Sequence, residues 1–288
     1  MAYSDITFKD KNPIKRWLQH RRLVDATRIA EARLNPRCIL DFGAGNGELC
    51  KLIAVQFPKT TIICYEPTPS LMAEAKDNLA DLPQVHFCAD ITTIADGSVD
   101  LIFCLEVFEH LPDTETKDAL CQFSRLLGAD GNAVIGVPIE IGIPAIYKGV
   151  FRMSRRFGAF DASFRNVLLA ALCSPPEKRP VSEVAPGFAF HYEHMGFDYR
   201  KLQALLLERF SLQKVVTSPF RCFGSWVNPE VNFLVHKANP ALQRDTVRSP
   251  ILWGALTKCN VPMIFCRFMP TILWVALEPE NSELSVGV

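Results

Sequence analysis

The sequence predicts an α/β fold built on a parallel sheet that helices cover on both faces. Three observations lead to this prediction. Short apolar runs alternate with segments of helical periodicity over the first half of the chain. Residues 99–105 form a near-continuous apolar run, as expected of a strand buried on both faces. Alternating glycines (Gly43, Gly45 and Gly47) directly follow the first apolar run, where a tight strand-to-helix loop is needed.

The predicted elements can be assigned along the chain from periodicity and turn residues. A basic amphipathic helix covers residues 13–34 and ends at Asn35-Pro36, because proline disfavours helix in the preceding residue. Thr68 and Pro69 supply an N-cap and a first-turn proline for a later helix. Strands are predicted at 38–42, 61–65, 85–88, 99–105 and 133–137, and helices at 48–57, 69–79 and 113–127.

The second half of the chain interrupts this alternation and then resumes it. Residues 139–196 contain several prolines and a basic cluster, so we interpret them as an insertion. A helix is then predicted at 199–210 and a strand at 212–217. Two segments, 231–236 and 271–277, have the composition of a last strand, and we prefer the first.

The expected domain organisation follows from these elements. Residues 1–36 form an N-terminal helical segment, and residues 37–237 form the sheet domain, which includes the insertion at 139–196. Residues 238–288 form a C-terminal appendage. The most apolar region, 251–277, is interrupted by charged residues and prolines, so we do not expect a membrane span. It is interpreted as core or a subunit contact, with a surface-lying membrane contact as the less favoured alternative.

Composition limits the possible partners and the compartment. The chain has 288 residues, of which 49% are apolar and 22% charged, as in a globular protein. Its 31 basic and 31 acidic residues give no net charge, so nucleic acid is not an expected partner. The 10 cysteines include no C-x-x-C, and the N-terminus lacks the pattern of a signal peptide. We therefore expect a reducing, cytoplasmic setting, and the oligomeric state stays open.

The glycine loop indicates which ligand the first strand serves. Asp41 is the next-to-last residue of the strand, and the glycines then follow the spacing G-x-G-x-G. The G-x-G-x-x-G loop of dinucleotide-binding folds requires a glycine where Glu48 stands, which makes NAD(P) the less favoured alternative. An acid before a compact G-x-G-x-G resembles the first motif of class I S-adenosylmethionine-dependent methyltransferases. The resemblance extends over residues 37–137 and implies a Rossmann-like, mostly parallel seven-stranded sheet.

This resemblance also implies roles for residues at the strand ends. Asp41 and the glycine loop would lie along the methionine part of S-adenosylmethionine, and Glu66 would accept both ribose hydroxyls. Asp90 would bind the adenine amino group, with Ile91 beside the ring. Glu106, at the end of the fourth strand, would lie at the cofactor mouth. The alternative is that these acids only cap loops and turns.

A second string, Glu106-Val107-Phe108-Glu109-His110, follows the fourth strand. In one helical turn Glu106, Glu109 and His110 would cluster and could bind a divalent cation such as Mg²⁺ or Mn²⁺. The string is similar to one in ubiquinone-pathway O-methyltransferases and small-RNA ribose 2′-O-methyltransferases, which associate these positions with a metal. In other relatives the same residues order the loop and form a wall of the substrate pocket. Both interpretations are kept, the wall being preferred.

The methyl acceptor needs a base if it is a hydroxyl, and three histidines are candidates. These are His110, His191 and His194, the last two in the segment before the helix at 199–210. Each is also interpretable as a packed or surface side chain. The insertion 139–196 would form the substrate lid.

The basic cluster of the insertion has two interpretations. It is a solvated helix face, or it contacts an anionic or lipid-linked acceptor or a membrane surface. Its members are Lys148, Arg152, Arg155 and Arg156.

Taken together, these patterns predict an enzyme that transfers a methyl group from S-adenosylmethionine to oxygen or nitrogen of a small molecule. One alternative is metal-assisted 2′-O-methylation of RNA through Glu106, Glu109 and His110. Another is a subunit that binds S-adenosylmethionine without catalysing transfer.

Overall fold

The computed structural model describes residues 13–31, 35–185 and 188–238. Its α-helices are α1 (Pro13–Glu31), α2 (Glu48–Gln56), α3 (Pro69–Asn78), α4 (Asp113–Leu126), α5 (Ile143–Arg156), α6 (Phe164–Ala171) and α7 (Tyr199–Arg209). Its strands are β1 (Cys38–Phe42), β2 (Thr61–Tyr65), β3 (Val85–Cys88), β4 (Val99–Leu105), β5 (Leu127–Pro138), β6 (Ser182–Ala185), β7 (Phe188–Phe190), β8 (Phe210–Ser218) and β9 (Glu230–Lys237).

Seven strands form one sheet in the order β3-β2-β1-β4-β5-β9-β8. Strands β1 to β5 run parallel, whereas β9 lies antiparallel between β5 and β8. The order reverses between β1 and β4, so the loops after these strands open at the same crevice. The predicted fold class is confirmed.

The core consists of two apolar layers, one on each face of the sheet. Strand β4 supplies both, because successive side chains of a strand point to opposite faces. Leu101 and Phe103 pack into one layer, and Ile102 and Cys104 pack into the other, all fully buried. The near-continuous apolar run of the sequence is thereby explained.

Helix α1 packs against α2 and against strands β5, β8 and β9. Its buried acid Asp25 accepts hydrogen bonds from Ser218 Oγ at 2.9 Å and Arg21 Nε at 3.0 Å. The predicted helix is thus confirmed as far as Glu31, and residues 32–34 lie outside the described ranges. Trp17, in the first half of this helix, is 49% exposed.

Strand bounds agree with the sequence for β1 to β4 and differ for the later strands. Strand β5 begins at Leu127, six residues before its predicted start at 133, because Val99 pairs with Leu127 ahead of a register shift. The preferred last strand is confirmed as β9. The alternative strand at 271–277 and the appendage from 239 lie outside the described residues.

The predicted insertion contains α5, α6 and the β6–β7 hairpin. Helices α5 and α6 approach closely at Gly149, where an added Cβ would lie 2.5 Å from Val167 Cγ1. Within the described ranges, no helix is both long and apolar enough to cross a membrane.

Candidate functional site

The glycine loop turns the chain sharply at the end of β1. Gly43, Gly45 and Gly47 all have positive φ, at 75°, 56° and 82°. The N–H groups of Gly43 and Ala44 both donate to the Tyr65 carbonyl at 2.9 Å, which ties the loop to the end of β2. An added Cβ at Gly43 would lie 2.6 Å from Val107 Cγ2, so the turn after β4 packs directly on this loop.

Two buried acids adjoin the loop. Glu66 Oε2 accepts a hydrogen bond from the Gly45 N–H at 2.9 Å, and its Oε1 accepts one from the Thr68 N–H at 2.8 Å. Asp41 Oδ2 accepts a hydrogen bond from Cys50 Sγ at 3.2 Å. Burial raises the pKa of Glu66 and raises that of Asp41 to about 7. The structure therefore brings Asp41, the glycines and Glu66 together, as the sequence predicted.

Asp90 is exposed and caps a short 3₁₀ turn. Its Oδ1 accepts hydrogen bonds from the Thr92 hydroxyl at 2.7 Å and the Thr92 N–H at 2.9 Å, and these bonds lower its pKa. The Ile91 carbonyl accepts a hydrogen bond from Arg125 Nη2 at 2.9 Å. Both residues thus have structural contacts of their own, and their role toward adenine stays a prediction.

Glu106 occupies a left-handed backbone conformation, with φ at 57°. Its carboxylate lies 2.8 Å from Arg22 Nη1 of α1, and the same guanidinium nitrogen lies 4.0 Å from Glu230 Oε1. Burial raises the pKa of Glu106, but the charge of Arg22, aided by His194, Lys148 and a hydrogen bond with Glu230, outweighs burial and holds the pKa below its usual range. The guanidinium of Arg22 therefore joins three elements that are distant in sequence: α1, the end of β4 and the start of β9.

Glu109 is fully buried, and neither of its carboxylate oxygens has a hydrogen-bond partner among the residues that the structure describes. Burial and the charge of Glu106 raise its pKa well above the usual range. His110 Nε2 lies 3.8 Å from Glu109 Oε1. An unpartnered buried carboxyl is costly, and such groups are concentrated at functional sites.

The His110 imidazole is fixed on three sides. Its Nδ1 lies 2.7 Å from the His191 carbonyl, which accepts, so Nδ1 carries the proton and Nε2 bears the lone pair. Phe190 stacks on the ring with centroids 4.4 Å apart, and His194 packs edge-on at 4.7 Å. Burial lowers the pKa of His110, so the ring is neutral at neutral pH.

The predicted cation ligands are rearranged in the structure. The ligand atoms of Glu109, His110 and His194 all lie within 4.8 Å of one another. Glu106, predicted as the third ligand, directs its carboxylate to Arg22 instead. A carboxylate with two imidazoles suits Mn²⁺ or Zn²⁺ better than Mg²⁺. Burial lowers the pKa of His194 to about 4, so its ring is also neutral.

His191 contributes to the site through its main chain. Its N–H donates to the His110 carbonyl at 2.8 Å, while its own ring Nδ1 lies 2.7 Å from the Pro180 carbonyl. The ring is therefore engaged away from the Glu109–His110–His194 cluster. Among the described residues, the contacts of the His191 imidazole give no support for a role as catalytic base.

Sequence reasoning missed Arg179, which joins the two halves of the site. Its guanidinium donates to the carbonyls of Glu109 at 2.6 Å, Glu193 at 2.7 Å and Met195 at 3.1 Å. These bonds hold the turn after β4 against the segment that carries His194. Main-chain carbonyls have no residue signature, so no sequence pattern could have revealed this role.

Glu140 was also missed, and it changes the interpretation of the basic cluster. This fully buried acid accepts hydrogen bonds from Lys148 Nζ at 3.0 Å and from both terminal nitrogens of Arg152 at 2.8 and 2.9 Å. Lys148 and Arg152 therefore belong neither to a solvated helix face nor to a surface for an anionic or lipid-linked partner, because they bind a buried acid of the same chain. Arg155 is exposed, and Arg156 is half-exposed and bonds Asp161.

Comparison with known proteins points to one family. Residues 40–133 match the model of a family described as a methyltransferase domain. The chain is 38% identical over 91 residues to malonyl-[acyl-carrier protein] O-methyltransferase of Anoxybacillus flavithermus. The matched stretch covers 31% of this chain and 34% of that protein. The chain is also 28% identical over 141 residues to trans-aconitate 2-methyltransferase of Methylobacterium nodulans, covering 48% and 50% of the two chains. The chain thus spans between a third and a half of these curated relatives.

A solved structure shares the fold. The 1,6-didemethyltoxoflavin-N1-methyltransferase of Burkholderia thailandensis, crystallised with S-adenosylhomocysteine, superposes with a TM-score of 0.50 at 14% identity. The superposition covers 81% of this chain and 85% of the other.

Proposed function

We propose that this chain, which contains a class I S-adenosylmethionine-dependent methyltransferase domain, transfers a methyl group to oxygen or nitrogen of a small-molecule acceptor. The observation that carries the proposal is the neutral His110 imidazole, whose Nε2 lone pair adjoins the buried Glu109 beside the glycine loop. Val107, between these two residues and the loop, packs on Gly43 and so couples the two parts.

The residues around the loop fit the methyl donor. Glu66 is buried beside the positive-φ glycines, and each of its carboxylate oxygens keeps a lone pair beyond its single backbone bond, which suits ribose hydroxyls. Asp41 would lie along the methionine part, and Asp90 with Ile91 would contact adenine. When bound, the donor supplies an activated methyl group on a sulfonium. Methyl transfer is an in-line displacement, so alignment of the two reactants carries much of the catalysis.

His110 would accept the proton of a hydroxyl or ammonium acceptor at Nε2. Its Nδ1–H donates to the His191 carbonyl, and this bond keeps the lone pair on Nε2 and stabilises the imidazolium that forms. Phe190 and His194 hold the ring in one orientation. The lowered pKa of His110 keeps it unprotonated and ready to act at neutral pH.

The acceptor class is proposed from the site alone. The family match ends at residue 133, before the insertion that would cover the acceptor, so the acceptors named for the relatives do not transfer to this chain. We propose the insertion 139–196 as the lid, residues 37–237 as the catalytic domain, and 1–36 and 238–288 as flanking segments. The sequence has no C-x-x-C among its 10 cysteines, which supports our proposal of a reducing, cytoplasmic setting.

The test uses the purified full chain, methyl-labelled S-adenosylmethionine and cell extract fractionated into RNA, lipid and small molecules. We expect label in a small-molecule fraction. His110→Ala should lower kcat about 10²–10⁴-fold with the donor Kd unchanged. Glu66→Ala should weaken donor binding about 10–100-fold, because hydrogen bonds to a charged acceptor are lost. His86→Ala, at an exposed histidine of β3, is the matched control.

Other outcomes would replace this proposal. Label in RNA would favour the 2′-O-methyltransferase alternative. Donor binding without transfer in any fraction would favour a non-catalytic subunit. Full activity in His110→Ala would remove the base role and its support for the acceptor class, whereas the glycine loop and Glu66 would still favour binding of the methyl donor.

A metal-assisted reaction is the second candidate, favoured by the proximity of Glu109, His110 and His194. The orphaned carboxylate and the two neutral imidazoles fit a divalent cation, which would lower the pKa of a bound hydroxyl. Isothermal titration of the chelated protein with Mn²⁺ should then give heat that Glu109→Gln abolishes. Equal heats for the wild type and the variant would rule out this site.

A further inference from the structure

An unpartnered apolar stripe runs along α5. The exposed side chains at Ile143, Ile146, Tyr147, Val150 and Phe151 follow the spacing of one helix face, and all five are apolar or aromatic. The opposite side of the helix carries the buried or inward-directed residues Ala145, Lys148, Gly149 and Arg152. The stripe is therefore a second apolar surface that the core does not use.

Neighbouring segments extend this stripe. On α6, Phe164, Leu168 and Leu172 are exposed at a spacing of four residues. Tyr147 Oη donates to the Val227 carbonyl at 3.1 Å and so connects the stripe to the 3₁₀ segment Arg221–Trp226.

That 3₁₀ segment and its flanks are rich in exposed aromatic side chains, and the Phe220 ring lies 6.4 Å from that of Trp17. We call the whole surface the lid face. It comprises Trp17, Ile143, Ile146, Tyr147, Val150, Phe151, Phe157, Phe164, Leu168, Leu172, Phe220, Phe223, Trp226 and Val227. Apolar surfaces of this extent on a folded domain usually have a partner.

The exposed charges around the lid face are all basic within these segments. Residues 143–172 contain five basic residues and a single acid, Asp161, which is buried. Lys148 and Arg152 bind Glu140 internally, so the exposed charges of the segment are Arg155, Arg156 and Arg165. Residues 219–228 add the partly exposed Arg221 and no acid.

The basic charges around the lid face indicate which kind of partner would bind it. A second copy of the chain would bring an identical cationic rim to the contact, which is unfavourable. An anionic lipid surface complements the rim, and arginine, tryptophan and phenylalanine side chains suit the headgroup and acyl boundary. Arg155 already lies over the Phe151 ring at 4.6 Å, with its charge at the edge of the apolar stripe.

We propose that the lid face binds the surface of an anionic lipid bilayer, with α5 and α6 lying in the interface plane. This binding is independent of methyl transfer, so it can stand or fall without the proposed function. It would bring the proposed acceptor lid to the membrane surface.

The test is cosedimentation of the full chain with large vesicles, using phosphatidylcholine alone or phosphatidylcholine mixed with phosphatidylglycerol. We expect binding to the mixed vesicles, loss of binding at high salt and little binding to phosphatidylcholine alone. The double variant Val150→Gln and Phe151→Gln should lower the partition coefficient about tenfold or more. Val55→Gln, at an 81% exposed apolar residue of α2, is the matched control.

A charge variant provides an independent check. Arg155→Glu with Arg165→Glu should weaken binding to mixed vesicles about tenfold while leaving the thermal unfolding of the protein unchanged. Equal binding of wild type and both double variants would overturn the proposal and assign any membrane affinity to other residues, such as the apolar region 251–277. A concentration-dependent dimer without vesicle binding would overturn it in favour of a second copy.

Discussion

Glu109 and Glu140 are both fully buried and both lie near His194, yet their electrostatic surroundings are opposite. Glu140 is neutralised by Lys148 and by a bidentate contact with Arg152, and these cations outweigh burial and lower its pKa to about 2. Within the described part of the chain, Glu109 has no hydrogen-bond partner for either oxygen, and burial raises its pKa well above the usual range.

This difference separates two uses of a buried acid. The cations of Glu140 both come from α5, so its ionised carboxylate fastens the lid helix to the end of β5. Burial raises the pKa of Glu109 instead, so this carboxyl keeps its proton to higher pH than a free glutamate does. We infer that Glu140 serves the fold and Glu109 serves the site.

The largest expected effect comes from removing the charge of Glu140. In Glu140→Gln, Lys148 and Arg152 would lose their anionic partner inside the protein. The free energy of unfolding should fall by about 3–5 kcal/mol, measured by urea denaturation. In Glu109→Gln an amide of similar shape replaces the carboxyl, and at about pH 4, where burial keeps this carboxyl protonated, the change should stay within about 1 kcal/mol. Equal losses in the two variants would contradict the distinction between these acids.

Acid pH should separate the same two residues. The folded-state pKa of Glu140 is depressed to about 2 from 4.5, so its contribution is present above pH 4.5 and lost as pH falls toward about 2. This loss amounts to about 3 kcal/mol. The difference in unfolding free energy between wild type and Glu140→Gln should therefore shrink over this range.

Glu109 should show the opposite sign, because its folded pKa is raised. Its burial weakens the fold increasingly as pH rises above the unfolded value of 4.5, so Glu109→Gln should gain stability relative to wild type with rising pH. A flat difference across the pH range would mean that Glu109 has a partner in solution.

A smaller effect is expected at the neighbouring acid Asp161. This buried carboxylate lies 3.4 Å from Arg152 Nε and also bonds the half-exposed Arg156. Arg156→Gln removes only the outer cation, so the unfolding free energy should fall by about 1 kcal/mol. A loss as large as that of Glu140→Gln would show that one remaining cation does not suffice for a buried acid.

The sequence was most informative where local pattern and tertiary role coincide. Strands β1 to β4 have the predicted bounds because each is a mostly apolar run, and an acid directly follows β2 and β4. The start of β5 was missed because Gly128 and Asp130 give its first residues the composition of a turn. The early pairing depends on Val99 across the sheet, which local composition does not encode.

The candidate site was predictable only in part for the same reason. Glu109 and His110 are adjacent in the sequence and were identified together. His194 joins them because Arg179 bonds main-chain carbonyls on both segments, and carbonyls are common to every residue. The salt bridge of Arg22 with Glu106 took one predicted ligand out of the cluster. Arg22 and Glu106 lie far apart in the sequence, so a local pattern does not reveal this contact.

The reach of α1 has a consequence for how the chain folds during synthesis. Asp25 and its partner Ser218 are 193 residues apart, and Arg22 pairs across a similar span with Glu230. At ~5–20 residues per second, a ribosome takes about 10–40 s to extend the chain from one partner to the other. Throughout that interval the charged groups of α1 remain in water, and its apolar face cannot yet pack against β8 and β9. The contacts of α1 with the sheet can therefore be completed only after β9 has been synthesised.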